Sequence, residues 1–181
     1  MHIVSANNVR DALPKAVKHL LQWGDLEDTR LGKAWVCPTP MTVRYFNPKE
    51  HVLVNAVRDA NPFFHLMESM WMLAGRDDGA FLDHYIKDFS KNFGTNGIIM
   101  DAYGFRWRHG ASFDQLNEIV LQLRKDHTSR QAVLQMWGAG RTDLLSPNAK
   151  PCNLVATFRI RQGHLDMTVF NRSNDLIWGC L

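Results

Sequence analysis

Residues 154–160 (LVATFRI) and 164–170 (HLDMTVF) are two runs rich in β-branched and aromatic side chains, joined through Gln162-Gly163. That pattern predicts a tight antiparallel hairpin. A lone hairpin is marginal in water, so other elements must cover its apolar face. RQAVLQMW at 130–137 supplies a further β-rich run beside it. Upstream the periodicity changes. Val9, Leu13, Val17, Leu20 and Leu21 recur at helical spacing despite Pro14, and Leu116, Ile119, Val120 and Leu123 mark an amphipathic helix. Asn61-Pro62 is a capping residue followed by a first-turn proline, and the helix it opens runs to Gly75. That helix is apolar nearly all round, which predicts burial.

Residues 80–89 read as one more helix, 28–32 as a polar loop, and 34–36 and 41–46 as short strands ended by Asn47-Pro48. Helices in the first part and paired strands in the second predict an α+β fold, with helices packed on one face of a mostly antiparallel or mixed sheet. The absence of repeats, low-complexity tracts and Ser/Gly-rich linkers predicts a single domain over 1–181.

Charge and cysteine content narrow the function classes. Lys and Arg number 21 against 18 Asp and Glu, a net +3 without a basic stripe, so no specific nucleic-acid partner is expected. Cys37, Cys152 and Cys180 have neither CxxC nor Cys/His spacing, which fits a reducing cytoplasm and implies no metal site. The start, MHIVSANNVRDAL, has no basic-then-apolar signal, and no run approaches a membrane span. A cytoplasmic protein away from membranes is the expectation.

Three features suggest chemistry. Glu68 lies among Phe64, Leu66, Met67, Met70 and Trp71, where lost hydration would raise its pKa toward a general acid/base range. The same carboxylate could instead point outward or pair with an arginine. Cys152 follows Lys150-Pro151 directly before the 154–160 run. It is either a nucleophile whose thiolate needs nearby cations, or a small buried hydrophobe. Arg172-Ser173 and Arg130 stand at strand ends, and Arg30 lies in the polar loop. They can form a phosphate cradle or simply be solvated.

Read in order, these features resemble one family. Arg30, Glu68 in ESMW-x-x-x-G, YGFRWR at 103–108, TSRQAVLQMW at 128–137, PCNLVATFRI at 151–160 and FNRSNDLIWG at 170–179 resemble the thymidylate synthase superfamily, which includes the pyrimidine-nucleotide hydroxymethylases. The likeness runs from about Arg30 to Gly179. It implies one-carbon transfer from 5,10-methylenetetrahydrofolate, a co-substrate, to C5 of a pyrimidine nucleotide monophosphate. Cys152 would be the thiolate that adds to C6. Arg172 would stabilise it and hold phosphate, with Ser173 and Arg30 adding phosphate contacts. Arg130 would be lent across a homodimer interface. Glu68 would organise proton transfers, Tyr103 would support proton removal at C5, and Asp175 would contact the folate pterin, with Gly179 and Phe89 on the folate side.

Several positions depart from that pattern. Gln131 replaces a second arginine, Asn153 replaces the histidine after the cysteine, and Asn171 replaces a glutamine. Phe89 and Phe93 stand where synthases commonly carry tryptophans. NRSND leans toward the hydroxymethylase branch, whereas the wider occurrence of synthases leans toward methylation of dUMP to dTMP, which is the expectation adopted. Hydroxymethylation of dUMP or dCMP is the alternative. A catalytically inactive member that binds nucleotide, or its own messenger, is a further one, and an unrelated cysteine hydrolase is the weakest. The family continues beyond Gly179 into the residue that reads uracil or cytosine, so the fold is expected to lack its C-terminal part.

Overall fold

The computed structural model describes residues 1–29, 32–50, 52–53, 59–138, 143–145, 150–177 and 179. It divides into two compact units, one of Met1–Ala60 with Asn174–Leu181, the other of Asn61–Ser173.

In the first unit, β1 (His2–Ala6) pairs in parallel with β4 (Met41–Tyr45), and α1 (Val9–Trp23) packs on them. Asn8 caps α1 by accepting the Asp11 N–H at 3.0 Å, and the helix runs through Pro14. Val4, Ala6, Ala12 and Ala16 form the core, with small side chains letting helix and strands approach closely. β2 (Asp25–Thr29), where no strand is expected, forms a hairpin with β3 (Gly32–Val36), so Asp28, Thr29 and Gly32 of the expected 28–32 loop are strand residues. β2 is exposed throughout, so DLEDT carries no alternation to betray a strand, and its ladder to β3 makes it one. β1 likewise gave no signal strong enough to read.

The second unit opens with α2 (Pro62–Leu73). Asn61 accepts the Phe63 and Phe64 amides, both at 3.1 Å, and Pro62 takes a position where no N–H is needed. Its other end is closed by Gly75 in the left-handed region, φ 69°, with Gly75 N–H donating to Met72 and Arg76 N–H to Trp71. Burial departs from expectation. Phe64 and Trp71 are buried, but Phe63, Leu66, Met70 and Leu73 are 54–73% exposed, a stripe at helical spacing. An apolar sequence all round therefore did not mean cover all round.

The single helix expected over 80–89 is replaced by a 3₁₀ turn (Gly79–His84) and the short α3 (Phe89–Phe93). The break has two causes. Asp83 turns its carboxylate to the Ser90 amide and hydroxyl, at 2.8 and 2.6 Å, and Asp88 adopts φ 58°. α4 (Tyr103–Arg108) and α5 (Gln115–Lys125) follow, Asp114 capping α5 through the Asn117 amide.

β5 (Val133–Gln135), β6 (Asn153–Arg161) and β7 (His164–Asn171) make an antiparallel sheet in the order β5-β6-β7. Gln162 and Gly163, φ 51° and 77°, turn the β6–β7 hairpin as expected, both in the conformation a two-residue primed turn requires. Ile119 and Leu123 of α5 bury against Ala132, Leu134, Met136 and Ala156, so helix covers sheet on that face. The architecture is the predicted α+β mixture, distributed over three small sheets among the described residues. No described helix is long and apolar enough to cross a membrane.

Gly104 fixes how closely α4 approaches α2. A β-carbon there would land on the backbone of Met72, which cannot move aside as a side-chain tip could. Gly104→Ala is expected to destabilise the chain by about 2–3 kcal/mol through overpacking. Urea unfolding monitored by circular dichroism checks this, and an unchanged midpoint would show the backbone yields there at no cost.

Candidate active site

Cys152 sits between the end of a loop and the first residue of β6, and its backbone is accounted for completely. Pro151 is fully buried and has no N–H to satisfy. Its carbonyl accepts Arg172 Nε at 3.1 Å, and the Lys150 carbonyl accepts Arg172 Nη2 at 3.1 Å. The Cys152 N–H donates to the Tyr103 hydroxyl at 3.2 Å, and the Cys152 carbonyl accepts the Arg172 amide at 2.9 Å. Every backbone polar atom at 151 and 152 thus has a partner.

This arrangement delivers the guanidinium to the sulfur. Arg172 Nη2 lies 3.9 Å from Cys152 Sγ, and the Arg172 guanidinium carbon lies 5.7 Å from the centroid of the Trp137 ring. That ring therefore also attracts the cation. Among the described residues no partner takes the Nη1 donors, which leaves them for an anionic ligand. Directly past the cysteine the β6–β7 register shifts between Asn153 and Val155, a bulge that re-aims the strand beside the thiol. Asn153 faces Asn171 across it.

Tyr103, the first residue of α4, is brought to Cys152 by its hydroxyl. Burial pushes its phenol up, and the neighbouring sulfur adds to that, while the bond from the Cys152 amide works in the opposite direction. Glu68 lies half-buried on α2 in the same unit, apart from the Cys152–Tyr103–Arg172 contacts. Burial pushes its carboxyl up, with no other cause acting. Ser173 is exposed next to Arg172, and Arg130 is exposed between α5 and β5, not among the groups touching Cys152.

Phe89 packs in the apolar cluster under α2, its ring 5.6 Å from Phe64 and 4.9 Å from Phe93. Asp175 and Gly179 belong to the other unit. There Asp175 Oδ1 accepts the Ile177 amide at 2.7 Å and its carbonyl accepts the Gly179 amide at 2.7 Å. Arg30 lies outside the described residues. Cys37 and Cys152 are free thiols, and no described group of three or more His, Cys, Asp or Glu side chains is arranged to hold a metal ion.

Two contributors were not read from the sequence. Trp137 closes the RQAVLQMW run, but only the fold shows that its ring meets Arg172. Arg106 and Asp143, far apart in sequence, form a largely enclosed ion pair in which Arg106 Nη1 lies 2.8 Å from Asp143 Oδ2.

The chain belongs to the thymidylate synthase family, whose model matches residues 12–181. It is 45% identical over 181 residues to the deoxyuridylate hydroxymethyltransferase of Pseudomonas phage M6, which covers 99% of this chain and 51% of that protein. It is 36% identical over 153 residues to the deoxyuridylate hydroxymethyltransferase of Bacillus phage SP01, 77% of this chain and 39% of that protein. The crystal structure of thymidylate synthase from T4 phage superposes with a TM-score of 0.52 at 21% identity, over 65% of this chain and 46% of that one. The chain therefore spans about half the length of the relatives it matches.

Glu68 gives a prediction with a defined sign. A carboxyl whose folded pKa is raised costs stability once ionised, so the cost is absent below the ordinary glutamate pKa and complete above the folded one. Glu68→Gln is therefore expected to raise the melting temperature at about pH 8 and to lose that advantage near about pH 4. Thermal melts at the two pH values check it, and an equal gain at both would remove burial as the cause.

Proposed function

We propose that this chain carries the nucleophile-bearing part of a deoxyuridylate hydroxymethyltransferase. The observation that carries the reading is 45% identity along 99% of the chain to a protein of that name. The second relative bears the same name, and both support hydroxymethylation over the methylation expected from the breadth of the synthases. They also favour uracil over cytosine as the base. The family match runs across both compact units, which supports reading 1–181 as one domain.

The chemistry follows from the ring. C5 of uracil is a poor nucleophile until C6 is saturated. In this reading Cys152 Sγ adds to C6 and makes C4–C5 enolate-like, while Arg172 balances the negative charge on sulfur before attack. 5,10-Methylenetetrahydrofolate supplies a one-carbon unit at the oxidation level of formaldehyde. Tyr103, held by the Cys152 amide, assists loss of the C5 proton. Glu68, whose carboxyl burial pushes up, would take part in proton transfers around the ring. C5 bonds to the carbon of that one-carbon unit, loss of the C5 proton expels tetrahydrofolate to leave an exocyclic methylene, water adds there, and the enolate so formed expels the Cys152 thiolate from C6. Tetrahydrofolate is the co-product, where hydride reduction would leave dihydrofolate.

Arg172 Nη1 and the Ser173 hydroxyl would bind the 5′-phosphate, Arg130 would serve the partner site of a homodimer, and for Arg30 a phosphate role rests on the resemblance alone. Asn153 would stand near the base. Asp175, Gly179 and Phe89 are the proposed folate-side residues. Val133 and Phe170, 47% and 52% exposed on the sheet face away from α5, support self-association.

The test is incubation of the chain with 5-tritiated dUMP and 5,10-methylenetetrahydrofolate. Tritium release with 5-hydroxymethyl-dUMP and tetrahydrofolate as products is expected. Cys152→Ala should lower release on the order of 10³-fold or more. A methylated product with dihydrofolate would restore the methylating alternative, and unaltered turnover by Cys152→Ala would end the proposal.

A further inference from the structure

Between β5 and Cys152 the chain is gripped from α4. Arg106 Nη1 donates to the Met136 carbonyl at 3.0 Å and to Asp143 Oδ2 at 2.8 Å, and Nη2 donates to Asp143 Oδ1 at 3.1 Å. Asp143 Oδ2 also accepts the Gly138 amide at 2.8 Å. The clamp therefore bonds the residue before Trp137 and the residue after it, bracketing the ring that lies against Arg172.

The pair is costly to keep. Its side chains are 17% and 13% exposed, the most enclosed ion pair among the described residues, and the buried Arg106 Nε finds no partner among them. Enclosed ion pairs contribute little net stability, because desolvation offsets their attraction. Such a pair is better explained by the geometry it specifies. The hydrogen bonds from Arg106 hold the Asp143 carboxyl below the usual carboxylate range.

We infer that Arg106 and Asp143 are positioning residues for the Cys152 thiol, fixing Trp137 beneath Arg172 so that the guanidinium stays beside the sulfur. This rests on Cys152 being the nucleophile.

Iodoacetamide alkylation of Cys152 in the full chain, followed by peptide-resolved mass spectrometry, tests it without nucleotide or folate. Asp143→Asn is expected to slow alkylation at about pH 7 by about three- to fivefold, the worth of one cation–π contact. The rates should converge near about pH 10, where a thiol ionises unaided. Asp166→Asn, which removes the exposed partner of Arg161 on the hairpin, should leave the rate unchanged. A folded Asp143→Asn chain alkylated at the wild-type rate overturns the inference, and so does slowing that persists at the higher pH, which would mark altered access. If Asp143→Asn does not fold, Trp137→Leu reads the same linkage with the clamp intact. The same slowing supports the inference, and a wild-type rate overturns it. Failure of the wild-type chain to release tritium from dUMP would count against the proposed reaction alone, since alkylation is scored separately.

Discussion

The carbonyls of Lys150 and Pro151 need donors, and Arg172 supplies them. Those two hydrogen bonds, with the backbone bond from Arg172 to Cys152, tie the approach to β6 onto the end of β7. One arginine thereby performs two tasks. It satisfies backbone groups that would be expensive to leave unpaired, and it places positive charge at a sulfur. Remove the backbone bonds and nothing else described would hold the guanidinium there, since the Trp137 ring offers attraction but little direction.

Local signals in the sequence located some of this well. The hairpin at Gln162-Gly163, the Asn61-Pro62 start of α2 and the apolar stripe of α5 all follow from rules that act within a few residues, and the structure agrees with each. The sequence was misleading where tertiary context decided. β2 has no apolar residue pattern to announce it and exists because β3 offers a ladder. The region after Asp78 breaks because Asp83 prefers Ser90 to continuing a helix. The exposed stripe of α2 shows that apolar composition reports what a helix can bury, whereas burial also requires a neighbour to arrive.

For the site, the resemblance points to Cys152, Tyr103 and Arg172, and the structure sets Tyr103 and Arg172 each against Cys152. The linkage through Trp137, Arg106 and Asp143 was not legible. It joins residues 30 to 37 positions apart through side chains whose types are common on any surface. Glu68 was read from its apolar neighbours, and the raised carboxyl follows from the same burial. Asp175 and Gly179 have their own turn in the other unit, and Arg30 is outside the described residues, so the resemblance alone speaks for their roles.

The turn at Gln162-Gly163 has a kinetic side. Because it reverses the chain in two residues, Cys152 and Arg172, 20 positions apart, meet by zipping up adjacent rungs rather than by a search through a long loop. Closing so short a circuit costs little chain entropy, and local contacts of this kind are the ones a folding chain acquires soonest. Tyr103, 49 positions from Cys152, must be gathered from much farther along the polypeptide. The sulfur and its cation are thus a product of neighbourhood, and the phenol is the part that waits for the rest of the unit to assemble.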